Sequence, residues 1–148
     1  MLLFDGGDRV PSQEQIAALL AAVGWHKVEW RRPVLKLQPG MQIDLGGIGK
    51  GYAVDLMAEL LEEWGLSAAL VHGGFSSVLA LDAPPGHDGW PLTLSDPGEP
   101  SRVLSRLSMR QTALSASGVR KGDHIVDPRT GVPVRGRLAA WVSLPRPD

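Results

Sequence analysis

Cysteine is absent from this sequence, which excludes disulfide bonds and thiol catalysis. The charges nearly cancel: 15 Lys and Arg residues stand against 16 Asp and Glu residues, which leaves a formal net charge of -1. Such a balance argues against nucleic acid as a partner. No hydrophobic run approaches the roughly 18 residues of a membrane-spanning helix, and the start of the chain is too short and too acidic for a signal peptide. We expect no membrane segment, and the compartment stays undecided.

Turn-forming residues are abundant, with 18 Gly and 12 Pro among 148 residues. This composition favours many short elements over a helical bundle, and the length fits one domain. Residue periodicity predicts two helices and about eight or nine short strands. The first helix is expected to begin with a capping box formed by Ser12 and Gln15. The predicted class is α+β, a largely antiparallel sheet with two main helices packed on one face.

The stretch 44–55 (DLGGIGKGYAVD) organises the chain. It is predicted to join a strand over 41–45 to a helix through a turn that contains four glycines and Lys50. A helix that begins after such a turn presents free N–H groups and a partial positive charge, which suits phosphate. The alternative is a tight connection with a solvated lysine. The apolar stripe of this helix is predicted to consist of Ala53, Leu56, Met57, Leu60, Leu61 and Trp64.

The two common glycine fingerprints do not fit this stretch. Asp44 stands where a P-loop needs its first glycine, and Gly51 stands where it needs Ser or Thr. Tyr52 stands where the dinucleotide pattern needs its last glycine. The stretch is therefore neither of these phosphate-binding motifs.

Three further stretches carry polar groups at predicted turns. Residues 73–77 (GGFSS) form a second glycine turn, which can wrap a ligand or simply close a hairpin. Residues 115–118 (SASG) offer two hydroxyls beside a glycine, which is a weak signal. Residues 124–131 (HIVDPRTG) place an imidazole, a carboxylate, a guanidinium and a hydroxyl near one turn. The structural alternative for this last stretch is a turn capped by Asp127, with Arg129 in solvent.

Taken in order, these four stretches resemble the motifs of the ApbE family, the FAD:protein FMN transferases. The resemblance runs from about residue 10 to about residue 144. It implies a phosphoryl transfer in which the diphosphate of FAD is cleaved. The FMN half moves onto a threonine hydroxyl of an acceptor protein, AMP is released, and Mg²⁺ takes part. A reaction of this kind needs positioning and neutralisation of growing negative charge more than covalent chemistry.

The resemblance also implies roles for individual residues. Lys50 would offset phosphate charge, and the glycine backbones would approach the diphosphate closely. His124 would be the base or a charge stabiliser beside the phosphorus, so His124 and Lys50 are the catalytic candidates. Asp55 would bond a polar edge of the ligand or hold the turn. The candidate cofactor-binding residues are Gly46, Gly47, Gly49, Lys50, Asp55, Gly73, Gly74, Ser115, Ser117, Asp127 and Thr130.

The chain departs from the family pattern in ways that bear on the metal. It has Gly49 and Ala116 where the family usually has Ala and Thr. We expect residues 1–148 to form a single ApbE-like domain that is incomplete at both ends relative to the family. The family's C-terminal segment supplies metal ligands, but no acidic residue occurs between Asp127 and Asp148. Because Mg²⁺ requires oxygen ligands, the expected metal site is incomplete, and the backbone carbonyl of Gly49 is its one candidate ligand.

Three hypotheses follow from the sequence. The first is a flavin transferase, the second a non-catalytic flavin- or nucleotide-binding remnant, and the third a structural fragment that self-associates through unpaired strand edges. FAD binding separates the first two from the third, and AMP release separates the first from the second. The expected partners are FAD and an acceptor protein, with self-association left open and nucleic acid excluded. Members of the family are typically exported, but no signal for export is expected in this chain.

Overall fold

The structure is a computed structural model that describes residues 12–74, 76–119 and 125–146. The chain divides into two compact units, the first made of Met1–Asp44 and Lys121–Gly136, the second of Leu45–Arg120 and Arg137–Asp148. We call them unit 1 and unit 2. The predicted single domain over residues 1–148 stays a prediction.

The helices and strands follow one another in an order typical of an α+β protein, which confirms the predicted class. A 3₁₀ turn over Trp25–Lys27 supplements them. The elements are α1 (Gln13–Leu20), β1 (Glu29–Arg31), β2 (Val34–Lys36), α2 (Gly49–Glu63), β3 (Leu70–His72), β4 (Ser77–Ala80), β5 (Trp90–Ser95), β6 (Val103–Met109), β7 (Thr112–Gly118), β8 (Val126–Asp127), β9 (Val132–Pro133) and β10 (Ala139–Pro145).

Unit 2 is built on a four-stranded antiparallel sheet with the strand order β10-β7-β4-β3. Helix α2 packs on one face of this sheet, mainly over β3 and β4. The contact is made by Val54 and Ala58 of the helix with Val71, Leu79 and Leu81 of the sheet side. The hairpin of β5 and β6 lies against the other face, where Ala80, Met109 and Leu114 form a second buried cluster. Unit 2 therefore has three layers, with the sheet in the middle.

The buried face of α2 is not the stripe that the sequence predicts. Val54 and Ala58 are 3% and 0% exposed, whereas Met57 and Trp64 are 53% and 70% exposed. The helix carries two apolar faces, and the sheet takes the one with the smaller residues because these allow close packing. Of the predicted stripe, Leu61 is partly buried against the core.

Unit 1 contains α1 and two short hairpins, β1 with β2 and β8 with β9. The capping box is confirmed, because the Ser12 side chain accepts a hydrogen bond from the Gln15 N–H and the Gln15 side chain accepts one from Ser12. Helix α1 lies against the β8–β9 turn, since a Cβ on Gly131 would sit 3.1 Å from Ile16 Cγ2 and 3.2 Å from Leu20 Cδ1. The predicted strand over 41–45 is wrong, because this segment has no ladder pairing and leads to the glycine turn as irregular backbone.

Two further predictions concern the packing of the helices and membrane-spanning segments. Helix α2 packs on the four-stranded sheet within unit 2, and α1 belongs to unit 1. Among the described residues, no helix is long and apolar enough to span a membrane.

Candidate functional site: two glycine turns joined by a lysine

The first glycine turn folds back on Leu45 before α2 begins. The Leu45 carbonyl oxygen accepts hydrogen bonds from the N–H groups of Ile48 at 3.0 Å and Gly49 at 2.6 Å. Helix α2 then starts at Gly49, with Ile48 as its N-cap. Isoleucine cannot cap the first-turn N–H groups as Ser, Thr or Asp would. The helix therefore begins without a side-chain cap, as suits a helix end that receives an anion.

The second glycine turn connects β3 to β4. The Gly73 N–H donates to the Ser77 carbonyl oxygen at 2.9 Å, which closes the hairpin. Gly74 has a φ of 74°, a left-handed conformation that glycine adopts without steric cost. The structural alternative for this stretch, a hairpin turn, is thus realised, and the turn brings Ser76 back toward α2.

The two turns meet at Lys50. The Lys50 Nζ donates a hydrogen bond to Ser76 Oγ, across 26 positions of sequence. The stem of Lys50 passes close to Gly73: a Cβ at that glycine would sit 3.6 Å from Lys50 Cβ and 3.3 Å from Val54 Cγ2. A glycine at position 73 therefore avoids crowding Val54 at the start of α2 and lies in contact distance of the lysine stem. Lys50 is not a solvated lysine without a structural partner.

Strand β7 adds its hydroxyls to the same region. The Ser76 carbonyl oxygen accepts from the Ala116 N–H at 2.9 Å and from Ser115 Oγ at 3.4 Å. Side chains alternate along a strand, so Ser115 and Ser117 lie on the same sheet face as Ala113, which packs against the α2 core cluster. Two of the predicted stretches, 73–77 and 115–118, are thus in direct contact. Residue Ser76, absent from the predicted site, is the one that connects them.

Asp55 lies on the acidic flank of α2, with Glu59 and Glu62. Arg146 at the end of β10 donates to the two carboxylate oxygens of Glu62 at 2.6 and 2.8 Å, and this pairing lowers the pKa of Glu62. The carboxylates of Glu62, Asp55 and Glu59 all raise the pKa of Arg146. The acidic flank therefore faces β10. Asp55 contributes to this field only through its charge, and its predicted role at the ligand stays a prediction.

The Asp127 turn of unit 1 is held by hydrogen bonds to its own residues. Asp127 Oδ1 accepts from the Arg129 N–H at 2.9 Å, and the Arg129 guanidinium donates to both carboxylate oxygens, at 3.0 and 2.6 Å. These bonds lower the pKa of Asp127 to about 2. Thr130 Oγ1 accepts from the Val132 N–H at 3.3 Å. The structural alternative, a turn capped by Asp127, accounts for these contacts, except that Arg129 is ion-paired rather than simply solvated.

His124 lies outside the described residues, and so does Phe75 of the second turn. The metal prediction can be tested on the rest. Within residues 12–74, 76–119 and 125–146, no group of three or more His, Asp or Glu side chains is placed to hold a metal ion. Gly49 is the first residue of α2, where a carbonyl normally accepts a helical hydrogen bond. The described side chains therefore form no cluster of this kind, and both the Mg²⁺ site and the Gly49 carbonyl as its ligand stay predictions.

The protein is thus an α+β protein with a site suited to an anionic group. This site consists of Lys50, the uncapped start of α2 and the second glycine turn. Comparison with known proteins also leads to proteins that handle a phosphate-containing ligand. The model of the ApbE family matches residues 2–144. A FAD:protein FMN transferase of Escherichia coli K12 is 28% identical over 150 residues, which are 89% of this chain and 42% of that protein.

Two solved structures have the same fold. The ApbE protein of Thermotoga maritima superposes with a TM-score of 0.79 at 29% identity, over 90% of this chain and 46% of that one. The flavin transferase ApbE of Vibrio cholerae gives a TM-score of 0.78 at 25% identity, over 93% of this chain and 47% of that one. The chain belongs to the ApbE family. It spans less than half the length of these relatives.

Proposed function

We propose that this chain is a flavin transferase that binds FAD through its diphosphate and moves FMN onto a threonine hydroxyl of an acceptor protein. The observation that carries the proposal is the meeting of the two glycine turns at Lys50, where a lysine ammonium lies beside Ser76 and the backbone of Gly73. The relatives named FAD:protein FMN transferase support the choice of FAD over another phosphate ester.

The proposed step balances without a further reactant. The threonine oxygen of the acceptor attacks the phosphorus of the FMN half and loses its proton to a base. The bond between that phosphorus and the bridging oxygen breaks, and AMP leaves. Negative charge grows on the phosphate oxygens in such a reaction, so a nearby cation and oriented N–H groups lower its barrier.

Several residues of unit 2 have proposed roles in binding the diphosphate and stabilising its charge. Lys50 offsets phosphate charge, and the backbones of Gly46, Gly47, Gly49, Gly73 and Gly74 allow a diphosphate to come close. The N–H groups of Gly49 and Gly73 already donate to Leu45 and Ser77, so at these two positions the glycine contributes close approach of the backbone rather than an N–H donor. Ser115 and Ser117 offer hydroxyls on the sheet face that also carries α2. These roles are proposals, as are His124 as the base and Asp127 and Thr130 as residues that shape its turn.

We include Mg²⁺ in the proposal only because the resemblance to the family implies it. Because the described side chains provide no cluster of metal ligands, we derive no step through the ion. An assay with and without Mg²⁺ answers this point separately from FAD binding.

The test is a calorimetric titration of the chain with FAD. We expect Lys50→Ala to weaken FAD binding about tenfold or more, because charge-assisted contacts to phosphate contribute roughly 1.5–3 kcal/mol. The matched control is Lys36→Ala, which removes an exposed lysine that is paired with Glu29 in β1; its FAD affinity should equal that of the parent chain. Equal affinity of the Lys50 variant and the parent would refute the role of Lys50.

A second assay separates transfer from binding. FAD is incubated with the chain and a threonine-containing acceptor peptide, and AMP is measured. AMP release that depends on the acceptor supports the transferase, whereas FAD binding without AMP release would leave the binding hypothesis as the better one.

A further inference from the structure

Ser76 is the residue through which three stretches of the site are connected. Its hydroxyl accepts from Lys50 Nζ. Its carbonyl accepts from Ala116 at 2.9 Å and from Ser115 Oγ at 3.4 Å. Hydrogen bonds of this one residue therefore connect the first turn of α2, the second glycine turn and β7. Ser76 lies in the predicted stretch 73–77 but is not among the candidate site residues named from the sequence.

The anchoring of Ser76 is much firmer than that of Lys50. Ser76 is half-buried and is followed directly by β4, whose residues pair with β7 on one side and β3 on the other. Lys50 is exposed and lies in the first turn of α2. A lysine side chain has four rotatable bonds and samples many positions when nothing holds its amine. The hydroxyl of Ser76 therefore fixes the position of the lysine amine, rather than the reverse.

The hydrogen-bonding capacity of the pair leaves room for a ligand. A lysine ammonium has three N–H donors, so its bond to Ser76 leaves two for phosphate oxygens. Gly73 adds no side chain beside the lysine stem, where a Cβ would lie 3.6 Å from Lys50 Cβ and crowd Val54 Cγ2 at 3.3 Å.

We propose that Ser76 is a positioning residue that holds the Lys50 ammonium beside the N-terminus of α2, ready to meet a diphosphate. This inference rests on the proposed function for its biological meaning. Its physical content, a lysine amine held in place by one serine hydroxyl, can be tested in the chain without FAD.

The first experiment is a double-mutant cycle with pyrophosphate and with FAD as separate probes. We expect Ser76→Ala to weaken binding about threefold to tenfold, since the loss of one hydrogen bond changes a dissociation constant by about that factor. In the Lys50→Ala background the same change should have little effect, because Ser76 acts through the lysine. Ser76→Thr keeps the hydroxyl and should restore affinity. Ser143→Ala, an exposed serine on the opposite sheet face, is the matched control.

Two outcomes of this cycle overturn the proposal. An equal loss of affinity from Ser76→Ala with and without Lys50 would mean that the serine contacts the ligand itself. Unchanged affinity in Ser76→Ala would mean that the lysine needs no positioning. Failure of FAD alone to bind, with the coupling intact for pyrophosphate, would count against the proposed function and leave the role of Ser76 standing.

A second experiment needs no ligand. NMR relaxation of the Lys50 Nζ–Cε group, assigned with Lys50→Arg, reports how far the amine is held. We expect restricted motion in the parent chain and in Ser76→Thr, and averaged motion in Ser76→Ala. Equal mobility of Lys50 in the parent and in Ser76→Ala would overturn the inference whatever the titrations show.

Discussion

The first glycine turn, which leads to Lys50, and the Asp127 turn are both predicted to serve one reaction, but they are stabilised in different ways. The first glycine turn lies directly before α2, which packs into a core through Val54 and Ala58. The Asp127 turn is held by a carboxylate that bonds the N–H and the guanidinium of Arg129. Every buried apolar side chain of the described residues belongs to unit 2.

The difference teaches where rigidity comes from in each place. Packing fixes α2 and β4, so a side chain carried by either can be positioned to a fraction of an ångström. The Asp127 turn depends on exposed electrostatic contacts, which solvent and salt weaken. We therefore expect unit 2 to respond to changes in its core, and the Asp127 turn to changes in charge.

The largest expected effect is that of Leu81→Ala, which opens a cavity in the core under α2. Leu81 is 0% exposed, and removing a buried leucine side chain costs about 2–5 kcal/mol of unfolding free energy. Such a loss is a large part of the total stability of a small domain. Urea denaturation measures it, with Leu20→Ala in α1 as the comparison because Leu20 is only half-buried. A loss for Leu81→Ala no greater than that for Leu20→Ala would break the contrast between the units.

A smaller effect is expected from Gly73→Ala, which tests how closely the two glycine turns meet. The new Cβ would lie 3.3 Å from Val54 Cγ2, which is tight, and 3.6 Å from Lys50 Cβ, which is an ordinary contact. The Val54 side chain or the first turns of α2, which carry Lys50, must therefore shift slightly. We expect FAD affinity to fall about threefold, because overpacking moves the surrounding groups.

The matched control for that change is Gly65→Ala, at the end of α2. Gly65 has a φ of 74° and open space around it. Alanine there should cost about 1 kcal/mol of stability through backbone strain, with FAD affinity unchanged. The two variants separate crowding against the start of α2 from backbone strain alone. Full FAD affinity in Gly73→Ala would contradict the close approach.

The smallest effect is expected from Arg129→Ala in the Asp127 turn. The folded-state pKa of Asp127, about 2, lies below the ordinary value of about 3.9. The ionised carboxylate therefore stabilises the turn above pH of about 4, and this contribution disappears as the pH falls through about 2.

Removing the guanidinium should raise the pKa of Asp127 without returning it fully to the ordinary value. The Arg129 N–H donates to Oδ1 at 2.9 Å in addition to the side chain, and alanine keeps that backbone bond. An NMR titration of the Asp127 carboxyl carbon measures the shift. An unchanged midpoint would show that the ion pair does not control this turn.

Much of the fold was predictable because it depends on local patterns. The capping box at Ser12 and the start of α2 in the glycine turn follow from residues within a few positions of each other. The buried face of α2 was not predictable in this way, since both of its flanks are apolar and only the sheet decides between them. The expected strand over 41–45 failed for a related reason: it alternates like a strand but finds no partner strand.

The site shows the same division between local and long-range information. The glycine turns and Lys50 were recognisable from their composition. Ser76 was not, because its role comes from a hydrogen bond with a residue 26 positions away. The only sequence signal was a hydroxyl three residues after Gly73, in a turn where serine is common.

In the proposed function, Lys50 lies where the two glycine turns meet and binds the diphosphate of FAD. The most direct measurement compares the affinities of FAD and riboflavin for the parent chain and for Lys50→Ala. The two ligands share the isoalloxazine ring and ribityl chain, and riboflavin lacks the diphosphate and the adenosine. We predict that the parent binds FAD more tightly than riboflavin and that Lys50→Ala removes most of this preference. Equal affinities of FAD and riboflavin for the parent, or a preference that survives in Lys50→Ala, would contradict the claim.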